Sequence, residues 1–500
     1  MALNPKTLGP EDLKTLMQPA KLCVTVTGDT TAELCTRRDQ VVEADMVELR
    51  LDTVRDPSAA GALAGRSKPV IVTCRPKSDG GHFLGSEEER RAILSEALAL
   101  GAEYVDLEWQ GSCADLMQRT GGRRVVLSHH DFKGMPADVT GLARAMLASG
   151  AEVVKLAITA SNLRDNLTLR AIGKTTSMPM SLIAMGEAGL ASRVLAGWMG
   201  SCWTYAGDGV APGQLSAALM LEEYRFRSIG AQTQIYGVVG KPVAHSMSPA
   251  MHNAAIRAAG VDAVYLPLAA ADFADFTTFA EAAGLSGVSV TAPFKVDAFE
   301  RADECDAVSR RIQAVNTLRR EGTRWLGTNT DVTGFLSPLE SALRLPGTRA
   351  TILGAGGAAR SVSIALASSG AHVSVASRRV AQAQSVALLT GAAVTSWPPD
   401  PGSWDLLVNT TPVGTAAPDE SPLPDGYPIN PKGLVYDLVY NPPHTKLLLD
   451  AERVRCRTIG GLDMLVAQAQ AQFEWWTGVR PTDSVMRQAA LNRLRSTEKK

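Results

Sequence analysis

The chain has 500 residues, of which 45% are hydrophobic and 20% charged, and its formal net charge is −1. That length exceeds one hydrophobic core and implies about two to four domains. The balanced charge argues against a dedicated nucleic-acid or polyanion binder. The start, "MALNPKTLGPEDLK", is charged and lacks an apolar core, so no signal peptide is expected. Candidate strands follow at 21–28 "KLCVTVTG", 46–52 "MVELRLD", 69–75 "PVIVTCR" and 104–109 "YVDLEW". Four more come at 124–131 "RVVLSHHD", 152–159 "EVVKLAIT", 178–186 "MPMSLIAMG" and 201–206 "SCWTYA". Amphipathic stretches such as 87–101 and 138–150 lie between them. Strands alternating with helices in this rhythm predict a (β/α)8 barrel. The Glu87–Glu88–Glu89 run reads as a solvated helix start.

In such a barrel the catalytic residues sit at strand C-termini. Polar residues cluster there: Glu48, Arg50, Arg75, Asp106, Glu108, His129, His130 and Lys155. Lys155 is the singular one, because it interrupts an apolar strand. A buried ammonium is either paired or converted to the neutral amine, which is a nucleophile.

A boundary is expected near 224–234 "YRFRSIGAQTQ". Strands at 235–240, 263–269 and 287–293 then alternate with helices and predict a small α/β lobe. From 349, "ATILG" leads into "GAGGAA" (354–359), an apolar helix to Gly370 and the strand "HVSVAS". This is the G-x-G-x-x-A fingerprint in its strand–turn–helix–strand setting, and it predicts a dinucleotide site. Gly354 serves the tight turn and Gly356 the approach to the pyrophosphate. NAD proteins place an acidic residue at the end of the second strand. Here stand Ser377, Arg378 and Arg379, which suit the 2′-phosphate of NADP(H). The apolar run 361–377 is too short to span a bilayer, so no membrane partner is expected.

The second half resembles the shikimate dehydrogenases over essentially all of 234–495. The motifs are "GKPVAHSMSPAMHN" (240–253), "VTAPFK" (290–295), "AVNTL" (314–318), "GTNTDVTG" (327–334), "GAGGAAR", "NTTPVG" (409–414), "DLVYNPPHT" (437–445) and "GGLDMLVAQA" (460–469). The resemblance implies that Ser246 and Ser248 bind a substrate carboxylate and that Thr291, Asn316 and Gln468 hold ring hydroxyls, with Tyr440 close by. It makes Lys295 and Asp331 the catalytic pair. Gly357, Ala358, Thr411 and Gly461 join the cofactor site. Ser289 stands where many members have Asn, and "SRR" replaces the commoner "NRT".

The first half resembles type I 3-dehydroquinate dehydratases across about 20–220. The matching pieces are "VELRLD" (47–52), "VTCRPKSDGG" (72–81), "YVDLE" (104–108), "SHHDF" (128–132), "VVKLA" (153–157), "SRV" (192–194) and "APGQLS" (211–216). The resemblance makes Lys155 the Schiff-base nucleophile, sheltered by an apolar interior, and His130 the general acid/base, oriented by Glu108. Glu48, Arg50, Arg75 and Asp79 would contact substrate hydroxyls. Arg193 would clamp the carboxylate, helped by Gln214 on a closing loop. Val210 replaces a common Ser. Neighbouring strand residues face opposite ways, so His129 is expected to be structural.

Together the resemblances imply a bifunctional enzyme of chorismate and aromatic amino-acid biosynthesis. It would dehydrate 3-dehydroquinate and reduce 3-dehydroshikimate to shikimate with NADPH, in the domain order of the plant bifunctional enzymes. The expected division is a TIM barrel at 1–228, a substrate lobe at 229–331 completed by 463–500, and a Rossmann lobe at 332–462. The rival readings are a quinate-preferring dehydrogenase half and a non-catalytic regulator built from the same domains. Small molecules are the expected partners. Seven scattered cysteines without C-x-x-C suggest reduced thiols, no structural zinc and a cytoplasmic location. No metal-ligand cluster is visible. The sequence leaves the oligomeric state open.

Overall fold

The first strands are apolar on both sides because helices cover one face and packed side chains fill the other. A computed structural model describes residues 19–111, 114–209 and 211–498. It divides into two compact units, Met1–His245 with Asp262–Leu285, and Ser246–Val261 with Ser286–Lys500.

In the first unit run β1 (Lys21–Val26), β2 (Met46–Arg50), β3 (Val70–Thr73), β4 (Tyr104–Glu108), β5 (Val125–Asp131), β6 (Val153–Thr159), β7 (Met180–Met185) and β8 (Trp203–Ala206). From β1 to β7 each strand pairs in parallel with the next, and β8 pairs in parallel with β1. The Cys202 N–H donates to the Met180 carbonyl at 2.7 Å and closes the barrel between β7 and β8. Cys23, Met46, Ile71, Val126, Val153, Ile183 and Trp203 pack together in the interior. The helix Glu87–Ala99 starts with a capping box between Ser86 and Glu89. Its three glutamates lie exposed at the positive end of the helix dipole, as the sequence suggests.

The unit continues with β9 (Gln234–Gly240) and β10 (Ala263–Ala269), paired in parallel along their whole length. The helix Phe273–Ala283 follows. Its Asp275 is fully buried and accepts the N–H groups of Leu163 at 2.9 Å and Arg164 at 3.0 Å. Leu163, the N-cap residue of the barrel helix Arg164–Gly173, offers no side-chain acceptor; Asn162 takes the Asp165 N–H, and Asp275 takes that of Leu163 from 112 residues away.

The second unit holds β11 (Gly287–Val290), β12 (Glu304–Cys305), β13 (Thr317–Glu321) and β14 (Arg324–Thr328), adjoining in the order β11–β13–β14–β12. β13 is antiparallel to β11 and β14, and β12 is parallel to β14. Then come β15 (Arg349–Leu353), β16 (His372–Ala376), β17 (Ala393–Thr395), β18 (Leu406–Asn409), β19 (Leu434–Asp437) and β20 (Arg457–Ile459). They form one parallel sheet ordered β17–β16–β15–β18–β19–β20, the doubly wound dinucleotide-binding topology. Its core includes Ile352, Val362, Val408 and Tyr436, with Phe335 stacked on Tyr436 at 5.0 Å. The helices Thr330–Glu340 and Gly461–Thr477 pack very closely. A Cβ at Gly334 would lie 2.6 Å from the Cβ of Gln468. No described helix is long and apolar enough to cross a membrane.

Candidate active sites

Residues two apart on a strand share a face, and this parity builds the first site. Thr25 on β1, Glu48 and Arg50 on β2, His130 on β5, Lys155 and Ala157 on β6, and Tyr205 on β8 line one cavity, together with Arg75, Arg193 and Gln214. His129, of opposite parity, is absent from that wall, as the sequence suggests. Val210 lies outside the described residues, so its place near Gln214 is not described.

The sequence expects Lys155 to be sheltered by apolar neighbours, and the structure corrects this. Lys155 Nζ stands 3.3 Å from Asp106 Oδ2 and 3.5 Å from Glu48 Oε1, and 4.1 Å from the centre of the Tyr205 ring. The lysine is therefore paired. Its carboxylates are themselves held. Glu48 accepts the hydroxyls of Thr25 and Thr73, each at 2.9 Å. Asp106 accepts Ser128 Oγ at 2.6 Å and Arg75 at 2.8 Å. Burial alone would raise the Asp106 carboxyl, but Arg75, Lys155 and Ser128 hold it below its usual range.

His130 Nδ1 lies 3.1 Å from Arg75 Nη1, and its ring stacks on Phe132. Burial, then the charges of Arg75, Lys155 and Arg50, push the imidazole well below its ordinary value of 6.5. The sequence assigns the orientation of His130 to Glu108. The structure corrects that as well: among the described residues the hydrogen-bonding neighbour of His130 is Arg75. Glu108 lies behind it, 2.8 Å from Arg90 and 3.6 Å from Arg75. The reason is geometric, since Glu108 belongs to a buried arginine–carboxylate network beside the cavity wall. Burial raises the Glu108 carboxyl against the pull of Arg75 and Arg90.

Arg50 is fixed by a bidentate bond to Asp52, at 2.9 and 2.7 Å. Arg193 differs from the other cavity arginines. It is buried, donates only to the carbonyls of Tyr205 and Pro212, leaves Nε without an acceptor, and among the described residues has no carboxylate partner. Burial lowers it to about 10. Gln214 donates to Thr25 at 3.3 Å and leaves its carbonyl oxygen unpaired. Asp79 is the expected residue that the structure does not bring in. It sits in the short turn Lys77–Asp79, accepts from Ser78, and is absent from the cavity wall, where Gly80 stands.

Sequence reasoning left Asp106, Ser128, Arg90 and Tyr205 without a role in the site. Asp106 carried a signal, since it shares a strand face with Glu108. Arg90 carried none, because a helix residue beside three glutamates reads as surface, yet it is buried.

The second site lies in the second unit. Lys295 begins a helix directly after "TAPF", and Asp331 lies in the first turn of the helix Thr330–Glu340. Their side chains meet at 2.6 Å. The Asn316 amide donates to the other Asp331 oxygen at 2.7 Å and to Gln468 at 3.3 Å. The Ser248 N–H donates to Ser246 Oγ at 3.2 Å at the head of the helix Ser248–Ala259. Thr291 opens the turn before Lys295, its carbonyl accepting from Phe294 at 3.0 Å. Tyr440 is half-buried, which raises its phenol. Among the described residues, none of Ser246, Ser248, Thr291 and Tyr440 hydrogen-bonds to the Lys295–Asp331 network.

The dinucleotide fingerprint is in place. Gly354 has φ +109°, and a Cβ there would lie 2.6 Å from Thr410 Oγ1. Gly356 caps the helix Gly357–Ser368, and Cβ atoms at Gly356 or Gly357 would meet open space, so a pyrophosphate fits against this backbone. Ala358 is exposed beside them. Ser377 Oγ accepts the Arg379 N–H at 3.2 Å, which leaves Arg378 and Arg379 exposed at the end of β16 with no ion pair among the described residues. Thr411 donates twice to Asn409, at 3.0 and 2.7 Å. Gly461 is demanded by packing, since a Cβ would lie 2.4 Å from the Leu438 carbonyl.

Three family models match the chain: type I 3-dehydroquinase over 22–231, the shikimate dehydrogenase substrate-binding domain over 238–318, and the shikimate 5′-dehydrogenase C-terminal domain over 461–491. The chloroplastic bifunctional 3-dehydroquinate dehydratase/shikimate dehydrogenase of Arabidopsis thaliana is 32% identical over 511 residues, covering 94% of this chain and 84% of that protein. The NADP(+) shikimate dehydrogenase of Moorella thermoacetica is 41% identical over 283 residues, 52% of this chain and 95% of its own. A shikimate dehydrogenase crystallised with NADP+ is similar with a TM-score of 0.51 and 34% identity, covering 53% of this chain and 97% of that one.

Proposed function

The chain belongs to the family of bifunctional type I 3-dehydroquinate dehydratases/shikimate dehydrogenases, and from that premise we propose how its residues carry out the two reactions. We assign the dehydratase to 1–228, the substrate lobe of the dehydrogenase to 229–331 with 463–500, and its NADP lobe to 332–462; the compact units cut the chain differently, grouping 229–245 and 262–285 with the barrel.

In the barrel, Lys155 attacks the C3 ketone of 3-dehydroquinate. The nitrogen must first shed a proton, and Asp106 and Glu48 are the acceptors within reach, at 3.3 and 3.5 Å. Loss of water leaves an iminium, whose positive charge acidifies the neighbouring C2 hydrogen. His130, held neutral by burial and by Arg75, takes that proton and then protonates the departing C1 hydroxyl. Hydrolysis of the iminium frees 3-dehydroshikimate and Lys155. Arg193 receives the substrate carboxylate, which explains a buried guanidinium without an anion. Gln214 helps Arg193 with the carboxylate, and Glu48, Arg50 and Arg75 contact the ring hydroxyls. Asp79 reaches the substrate only if its turn moves.

In the second unit, Ser246 and Ser248 bind the carboxylate of 3-dehydroshikimate. Thr291, Asn316 and Gln468 hold its hydroxyls, and Tyr440 closes on the ring. NADPH supplies the hydride. Lys295 gives a proton to the alkoxide that forms and is left a neutral amine, and Asp331 orients Lys295. The backbone of Gly354, Gly356, Gly357 and Ala358 would hold the pyrophosphate, and Thr411 and Gly461 would join the cofactor site. Ser377, Arg378 and Arg379 hold the 2′-phosphate.

The observation that carries this reading is the joint presence of Lys155, His130 and a carboxylate-free Arg193 in one cavity wall. A coupled assay with 3-dehydroquinate and NADPH tests it. Shikimate should accumulate as NADPH is consumed. Binding of both compounds without turnover would indicate the regulator reading instead.

A further inference from the structure

Behind Asp331 runs a chain of buried hydrogen bonds in which every donor points the same way. Ser289 Oγ donates to Gln472 Oε1 at 2.9 Å. Gln472 Nε2 donates to Thr317 Oγ1 at 3.1 Å. Thr317 Oγ1 donates to Asn316 Oδ1 at 2.8 Å. Asn316 Nδ2 donates to Asp331 Oδ1 at 2.7 Å, and Asp331 Oδ2 accepts Lys295 at 2.6 Å. All of Ser289, Gln472, Thr317, Asn316 and Asp331 are buried. The polarity of the chain is fixed. The Thr330 N–H donates to Asn316 Oδ1 at 2.7 Å, which forbids the flipped amide and leaves Nδ2 facing the carboxylate.

We propose that Ser289, Gln472 and Thr317 are positioning residues of the reductase, setting through Asn316 the orientation of Asp331 and hence of Lys295. This rests on the reading of Lys295 and Asp331 as the catalytic pair. Aligned donors in a dry interior polarise one another, so each link strengthens the last bond to the carboxylate. A broken link does the reverse, leaving a buried polar group unsatisfied and the Asn316 amide oriented from the Thr330 side alone. Ser289 is the residue that differs from the Asn common in the family. Its hydroxyl faces Gln472, so the substitution bears on the back of the network and not on the substrate side. The His252 imidazole also faces Gln472, and burial keeps it neutral by lowering it to about 3, so it brings no charge to the chain.

The test uses the full-length chain, with dehydratase turnover and NADPH binding as integrity checks on each variant. Thr317→Val and Gln472→Met remove a link while nearly keeping volume. Each should lower reductase kcat about tenfold or more, as expected when a proton donor is misaligned, with any rise in KM for 3-dehydroshikimate smaller than the loss in kcat, since Asn316 also holds a substrate hydroxyl. Thr317→Ser, which keeps the hydroxyl, should restore kcat to within about threefold. Asp331→Asn and Lys295→Ala are run beside them. If those two retain kcat, the catalytic pair is misassigned and this inference falls with it. If they lose kcat while Gln472→Met and Thr317→Val keep it, the inference alone is overturned. A loss in Thr317→Val that Thr317→Ser does not repair also overturns it, because the loss then follows packing and not the hydrogen bond.

Discussion

Lys155 Nζ lies 3.3 Å from Asp106 Oδ2, and Asp106 is held in turn by Arg75 and Ser128. Lys155 is thus half of a buried ion pair, and on the proposed mechanism it must pass a proton to a carboxylate of that pair before it attacks. Asp106→Asn keeps the shape and removes the acceptor. Dehydratase kcat should fall by about a hundredfold, with reductase kcat unchanged, measured on the same preparation. An unchanged dehydratase rate would assign the proton to another group.

His130 yields a pH dependence whose sign is fixed. Its imidazole is depressed well below 6.5, first by burial and then by the neighbouring cations. With the neutral form as the proposed base, kcat/KM for dehydration should hold level as pH falls through 6.5, with its acid limb well below. A limb at or above 6.5 would mean that His130 is not the base. Folding stability follows the same direction. The unfolded chain takes up a proton near 6.5 that the folded one refuses, so the contribution of His130 declines as pH drops below that value.

Arg193 has no carboxylate partner of its own among the described residues. If the substrate supplies one, Arg193→Ala removes a buried charge pair, and the expected loss is about 2–5 kcal/mol. It should show in kcat/KM for 3-dehydroquinate. Dehydration kinetics indifferent to this substitution would place the carboxylate elsewhere.

Arg378 and Arg379 are exposed at the end of β16, with no ion pair among the described residues. Arg378→Ala should raise KM for NADP(H) more than KM for NAD(H). Equal effects on the two cofactors would contradict a 2′-phosphate role.

Asp275→Ala uncaps the barrel helix Arg164–Gly173 and strands two N–H groups. A loss of about 1–2 kcal/mol is expected, seen as earlier loss of dehydratase activity in urea. No shift of the midpoint would show that the cap is replaced by solvent.

The barrel was legible because eight apolar strands recur in rhythm with amphipathic helices, and the glycine loop because it sits between two strands. The candidate catalytic residues were legible as strand-end polar groups and as motif positions. What the sequence hid is contact. Nothing in "VVKLA" says that two carboxylates from other strands meet its lysine, because barrel closure decides which strand faces which. The resemblance assigns Glu108 to His130, yet Arg75 lies between them, and Arg90 comes from a helix that reads as surface. Asp275 illustrates the same limit, since it caps a helix more than a hundred residues earlier in the chain. Asp79 stands apart for a local reason: its turn bonds to Ser78 and not to the cavity.

The central claim is a covalent bond between Lys155 and substrate, and trapping tests it most directly. The protein is treated with borohydride in the presence of 3-dehydroquinate, digested, and mapped by mass spectrometry. The added mass should fall on the peptide containing Lys155 and vanish in Lys155→Ala, while that variant still reduces 3-dehydroshikimate with NADPH. Label on a different peptide, or label surviving in Lys155→Ala, would contradict it.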